Sequence, residues 1–149
     1  MRFDRFPCAC QMVIPARTED VREALCRFFQ AMGADLPTPE MRFNVELVLA
    51  EVLNNIVEHG YRDQEGEIEL VVTPAMDGLL FNVVDRGHPM PNETLPAGLL
   101  PRQGAVEDLP EGGFGWFLIR ELSQDLEYRR EAGRNLLSFR IMDKQPVQL

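Results

Sequence analysis

Glu51-Val52-Leu53-Asn54-Asn55-Ile56-Val57-Glu58-His59-Gly60 is the stretch on which the reading of this chain turns. Apolar residues at Val45, Val48, Leu49, Val52, Leu53, Ile56 and Val57 recur with helical spacing, so a helix is predicted from Pro39 to about His59, with Gly60 suited to its end. On that helix Glu51 and Asn55 stand one turn apart and emerge on one face. A carboxylate so placed can orient or deprotonate an attacking hydroxyl or water, and a carboxamide oxygen can hold magnesium. Asn54, Glu58 and His59 add polar groups beside them. Read alone, the pair also suits a solvated helix face.

Upstream, residues 8 to 14 read as a first strand, and Thr18-Glu19-Asp20 opens a helix towards Met32, which Gly33 can stop. Downstream, Glu67 to Val72 and Leu79 to Val84 are strand candidates joined by the turn residues Pro74 to Gly78, an antiparallel hairpin. Residues 88 to 112 change character: Pro89, Pro91, Pro96, Pro101 and Pro110 disfavour regular structure, and the segment reads as a lid. A helix from Phe114 to Leu122 and strands near Leu126 to Arg129 and Leu136 to Ile141 follow, with Gly133 and Arg134 between the strands. The order is strand, helix, helix, hairpin, lid, helix, hairpin, within one domain over residues 1–149.

Two further segments carry chemistry. Asp85 follows the apolar run Leu79 to Val84, so its carboxylate sits at a strand end, where it can accept the amino hydrogen of an adenine; Gly87 permits close approach. By itself Asp85-Arg86-Gly87 is also an ordinary turn. Gly112-Gly113-Phe114-Gly115 stands at the start of the last helix, where glycines let backbone amides face a phosphate and the helix terminus adds partial positive charge. Phe114 there either closes over the site or packs, and packing is also the plain reading of Trp116 and Phe117.

Composition narrows the classes. With 149 residues, 45% of them hydrophobic, the chain can bury one substantial core. Its 24 Asp plus Glu outnumber 15 Lys plus Arg for a net charge of −9, which argues against broad contact with nucleic acid or an acidic membrane face. Cys8, Cys10 and Cys26 lack the spacing of metal ligands and read as reduced thiols. A leader pattern and a membrane-length apolar run are both missing, so a cytoplasmic location is expected.

Taken in order, these segments resemble the histidine-kinase-like ATPase superfamily, especially its small serine-protein kinase and anti-sigma factor family, over nearly the whole chain. Glu51 to Gly60 is similar to the N-box, Asp85-Arg86-Gly87 to the first glycine box and Glu111 to Ile119 to the second. The resemblance implies a two-layer α/β sandwich, its mixed, mostly antiparallel sheet covered by helices on one face, with a mobile segment closing an ATP pocket. It implies Glu51 as general base, Asn55 as the magnesium-organising residue, Asp85 as the adenine-recognition acid, and Gly113 with Gly115 as the phosphate loop. Asn54, Glu58, His59, Gly87 and Phe114 are supporting assignments. Pro89 departs from the Asp-x-Gly-x-Gly form of longer members.

The function so implied is ATP- and Mg2+-dependent phosphorylation of a serine or threonine on an anti-anti-sigma protein, coupled to reversible sequestration of a sigma factor. These 149 residues leave no room beside the ATP domain for the dimerisation and phosphoacceptor module of a sensor kinase. Homodimer formation stays open, as do two other classes: a nucleotide-controlled protein-binding module with little or no transfer activity, and a simple ATPase in which Glu51 orients water.

Overall fold

The computed structural model describes residues 10–98 and 113–143. Strand β1 spans Cys10–Pro15, helix α1 Thr18–Met32 and helix α2 Pro39–Asn55; the hairpin β2 and β3 spans Glu67–Ala75 and Gly78–Asp85. Helix α3 spans Gly113–Leu122, and the second hairpin, β4 and β5, Gln124–Glu131 and Arg134–Met142. Cys8 and Ala9 of the expected first strand lie outside the described residues. The five strands form one sheet in the order β1-β2-β3-β5-β4, and every pairing among the described residues is antiparallel. This is the expected α/β sandwich.

Period-two patterning fixes which face is covered. Leu79, Phe81, Val83 and Asp85 of β3 are buried in alternation with half-exposed neighbours, and Asn135, Leu137, Phe139 and Ile141 of β5 repeat the pattern. Phe81 and Phe139 are direct cross-strand partners whose rings stack 5.0 Å apart, and Phe28 of α1 packs on Phe81 at 6.2 Å. Helix α2 closes the layer with Met41, Val45, Val48, Leu49, Val52 and Leu53, all buried. Thr38 caps it, its hydroxyl accepting from the Met41 amide at 3.1 Å, and Pro39 occupies the first turn.

The first hairpin is tighter than the sequence suggests. Ala75 pairs with Gly78, so Pro74 and Ala75 belong to β2 and the turn is Met76-Asp77 alone. Asp77 takes the left-handed conformation, φ 63°, which aspartate tolerates. Pro74 is accommodated because the described pairing of β2 with β1 ends at Val72.

Candidate functional site

Helix α2 does not stop at Asn55. It runs on through a π-helical turn, Ile56–Gly60, closed by the Tyr61 amide donating to the Ile56 carbonyl at 2.9 Å. That extra turn brings the Gly60 carbonyl to the end of β3, where it accepts from the His88 amide at 2.7 Å. The backbones approach so closely that a Cβ at position 87 would collide with the Gly60 carbonyl, which is the physical reason for glycine there. Tyr61 ties the same corner, donating to the Glu67 carbonyl at 2.8 Å and accepting from the Arg86 amide at 2.6 Å.

Between α2, the sheet and the segment after β3 lies a cavity of about 340 Å³, large enough for a small-molecule ligand. Asn55, Ile56, His59, Gly60 and Arg62 line it from the helix side, Asp85, Tyr128, Asn135 and Leu137 from the sheet, and Trp116 from α3. His88, Pro89, Met90, Pro91 and Pro96 form a strap along its edge. The Arg120 guanidinium holds the strap to α3 by donating to the Pro96 carbonyl at 2.9 Å. Thus His88 to Pro91 and Pro96 of the expected lid segment line the cavity, and residues 99 to 112 lie outside the described part.

At the sheet end, Asp85 is only 5% exposed. Its Oδ1 accepts from the Gly87 amide and from Asn135 Nδ2, both at 2.8 Å. Burial pushes its pKa above the ordinary aspartate value; the Asn135 and Gly87 hydrogen bonds and the positive charge of Arg130 pull the other way. At the helix end, Asn55 is also buried, and its Nδ2 is a buried side-chain nitrogen without a hydrogen-bond partner among the described residues. The cost of such an unpaired amide, about 1–3 kcal/mol, is normally avoided in a closed core. Gly115, at the start of α3, lies against this corner: a Cβ added to it would collide with Glu51 Oε2 and stand 3.8 Å from Asn55 Nδ2.

The sequence-derived residues therefore separate into groups. Asn55, His59 and Asp85 line the cavity, Glu51 and Gly115 meet beside it, and Gly87 supports Asp85 from behind. Asn54 and Glu58 do not line it; Glu58 is exposed, 3.9 Å from His59. Gly113 begins α3, while Glu111 and Gly112 of its loop lie outside the described residues. Phe114 is 51% exposed, its ring centroid 6.1 Å from that of Phe117, because helical spacing turns Trp116 and Ile119 inward instead. Trp116 is buried, as packing alone predicts, and also lines the cavity. Asn135 and Tyr128 line the cavity without belonging to any of the sequence motifs. A signal for Asn135 exists: it is the one polar residue in the buried phase of β5 and the register partner of Asp85.

The Histidine kinase-like ATPase domain model matches residues 14–141, nearly all of the two-layer fold. The chain belongs to that family. Within it, serine-protein kinase RsbW of Bacillus mycoides (strain KBAB4) is 29% identical over 143 residues, covering 93% of this chain and 88% of that protein. RsbW of Bacillus cereus (strain AH187) is 30% identical over the same coverage. This ATPase-domain chain is thus homologous to the RsbW-type kinases, the group its sequence resembles. In three dimensions it is similar to a chain in the crystal structure of the SiaB-SiaC complex from Pseudomonas aeruginosa, with a TM-score of 0.58 and 14% identity over 95% of this chain and 94% of that one, a likeness of fold. Nucleotide binding with Mg2+ is typical of the family, and the cavity's donors suit it. An orphaned carboxamide N–H next to a glycine helix start fits a phosphate oxygen, and a buried carboxylate fits a base amine. Among the described residues no helix is long and apolar enough to cross a membrane.

Proposed function

We propose that the chain is an ATP-dependent serine/threonine protein kinase and anti-sigma factor, which phosphorylates an anti-anti-sigma protein and reversibly sequesters a sigma factor. The observation that carries the reading is Asn55: a buried amide without a protein partner, beside Gly115 and one turn from Glu51, is a group waiting for a ligand. In this reading Asp85 accepts the adenine amine, Asn55 donates to a phosphate oxygen through its unpaired Nδ2 and would hold magnesium through Oδ1, and the amides of Gly113 and Gly115 face the phosphates. Bound Mg2+ would supply neutralisation of phosphate charge. His59 lines the same cavity and Gly87 donates to Asp85, whereas Asn54, Glu58 and Phe114 are not among the residues that line it.

Glu51 is the general base. It takes the proton of the partner's hydroxyl as that oxygen bonds to the terminal phosphorus, and the bond to the bridging oxygen breaks to release ADP. Gly115 has no side chain to block its carboxylate, so Glu51 reaches the start of α3. Kinship with serine-protein kinase RsbW supports a protein hydroxyl as acceptor, and the fold neighbour's presence in a two-protein complex is consistent with a protein partner. The test is incubation with magnesium, γ-labelled ATP and a candidate anti-anti-sigma protein, with Glu51→Gln as control. Label on a partner serine or threonine, wild type only, supports the kinase. ATP binding and partner association without label would leave the nucleotide-controlled binding module, and ATP hydrolysis without label the simple ATPase.

A further inference from the structure

Three side chains beside the cavity have no part in that mechanism, yet they are hydrogen-bonded to one another and to the site. The Tyr128 hydroxyl, on β4, donates to Asn135 Oδ1 at 2.6 Å and accepts from the Met90 amide at 3.0 Å. Arg130 Nη1, also on β4, donates to the Gly87 carbonyl at 2.8 Å and to Asn135 Oδ1 at 3.1 Å. Asn135 Nδ2, on β5, donates to Asp85 Oδ1 at 2.8 Å and to the His88 carbonyl at 2.9 Å. Donors meet the oxygen of Asn135 and acceptors meet its nitrogen, so only one orientation of the amide satisfies the network. Both hydrogen bonds to Asp85 end on Oδ1, which leaves Oδ2 for a ligand.

We propose that Tyr128, Arg130 and Asn135 are positioning residues which lock Asp85 and the strap from Gly87 to Met90 into one preassembled unit, and that this unit selects adenine over guanine. The inference rests on the nucleotide-site reading above. A fixed, ionised Asp85 presents only acceptor lone pairs, which match the exocyclic amine of adenine and oppose the carbonyl of guanine. A carboxylate that swings can turn to accept from guanine's own ring N–H and amine, and a carboxyl that carries a proton can donate to that carbonyl, so either way the choice is lost. Asn135 removes the first failure by holding Oδ1. Arg130 counters the second, because its charge favours the carboxylate against the burial that disfavours it. The other titratable or charged groups around the acid are Tyr61, His59, Arg62 and His88, and none of them donates to Asp85 among the described hydrogen bonds.

The experiment is nucleotide titration of the full chain followed by the fluorescence of Trp116, its single tryptophan and a wall of the cavity. Tyr128→Phe keeps the ring and removes one hydroxyl. It is expected to weaken ATP and ADP by the same factor, about 5–10-fold, the scale of one hydrogen bond in a network. GTP binding is expected to be unchanged, so the ATP/GTP preference narrows by that factor. Arg130→Gln, on the edge strand, is expected to move the acid limb of ATP binding to higher pH. An ATP/GTP preference equal to wild type in Tyr128→Phe, or an unmoved acid limb in Arg130→Gln, would overturn the proposal while leaving the nucleotide site standing. Wild-type protein that binds neither nucleotide would remove both.

Discussion

Asp85, at the sheet end of the cavity, accepts hydrogen bonds from Gly87 and Asn135, whereas Asn55, at the helix end, keeps a buried carboxamide nitrogen without a partner. Both residues are buried to a similar degree, so the contrast does not come from depth. It comes from the elements that carry them. Strands β3 and β5 are hydrogen-bonded neighbours, and their register sets Asp85 opposite Asn135. Helix α2 meets α3 without a backbone–backbone hydrogen bond among the described residues, and the residue facing Asn55 across that seam is a glycine, which has no side chain to answer it. One end of the cavity is satisfied by the protein itself, and the other keeps an open donor.

The sharpest way to break this comparison is at the helix end. Glu51→Gln keeps the size of the side chain and removes its basicity; transfer to a protein hydroxyl is expected to fall about 10²–10⁴-fold while ATP binding persists. Measured together with ATP affinity and a thermal melt, equal loss of binding and transfer would show that Glu51 holds nucleotide instead of accepting a proton.

Next in size is a matched pair of substitutions read by chemical denaturation. Asn135→Leu leaves Asp85 Oδ1, the Tyr128 hydroxyl and Arg130 short of partners and is expected to destabilise the protein by about 2–4 kcal/mol. Asn55→Leu removes a group that has no partner to lose, so stability is expected to hold or rise by about 1 kcal/mol, while Mg2+-dependent ATP binding collapses. Similar stability losses in both variants would abolish the distinction between the two ends.

A smaller effect separates charge from shape at the sheet end. The folded state holds the proton of Asp85 more tightly than the unfolded chain does, because burial raises its pKa. This contribution to stability is therefore fully present below the unfolded pKa and is lost as pH rises through the folded one. At neutral pH the ionised acid costs stability, and Asp85→Asn is expected to raise the melting temperature while weakening ATP. The same titration predicts that wild-type ATP affinity falls on acidification at a pH above the ordinary aspartate range, as Asp85 loses its acceptor. A melting temperature that drops in Asp85→Asn would mean that the carboxylate is stabilising, contrary to its burial.

Much of this was written into local pattern. Helical spacing from Val45 to Val57 marks α2, alternation marks both hairpins, and the order of Glu51, Asn55, Asp85 and the glycines points to a nucleotide fold. The π turn at Ile56–Gly60 was not legible, since it depends on the Gly60 carbonyl finding the His88 amide across the fold. Neither was the supporting network of Tyr128, Arg130 and Asn135, scattered over two strands far from Asp85 in sequence. Glu58 and Phe114 show the reverse case: they belong to the recognisable motifs, and their helical phase turns them towards solvent.

The sequence by itself determined the elements, their apolar faces and which polar residues share a helix face or a strand phase, because those follow from periods of 3.6 and 2 acting on neighbouring residues. Only the tertiary structure decided which polar groups would be satisfied. Strand register joined Asp85 to Asn135, and the seam between α2 and α3 left Asn55 unanswered, since hydrogen bonds between distant segments depend on distances that no local pattern encodes.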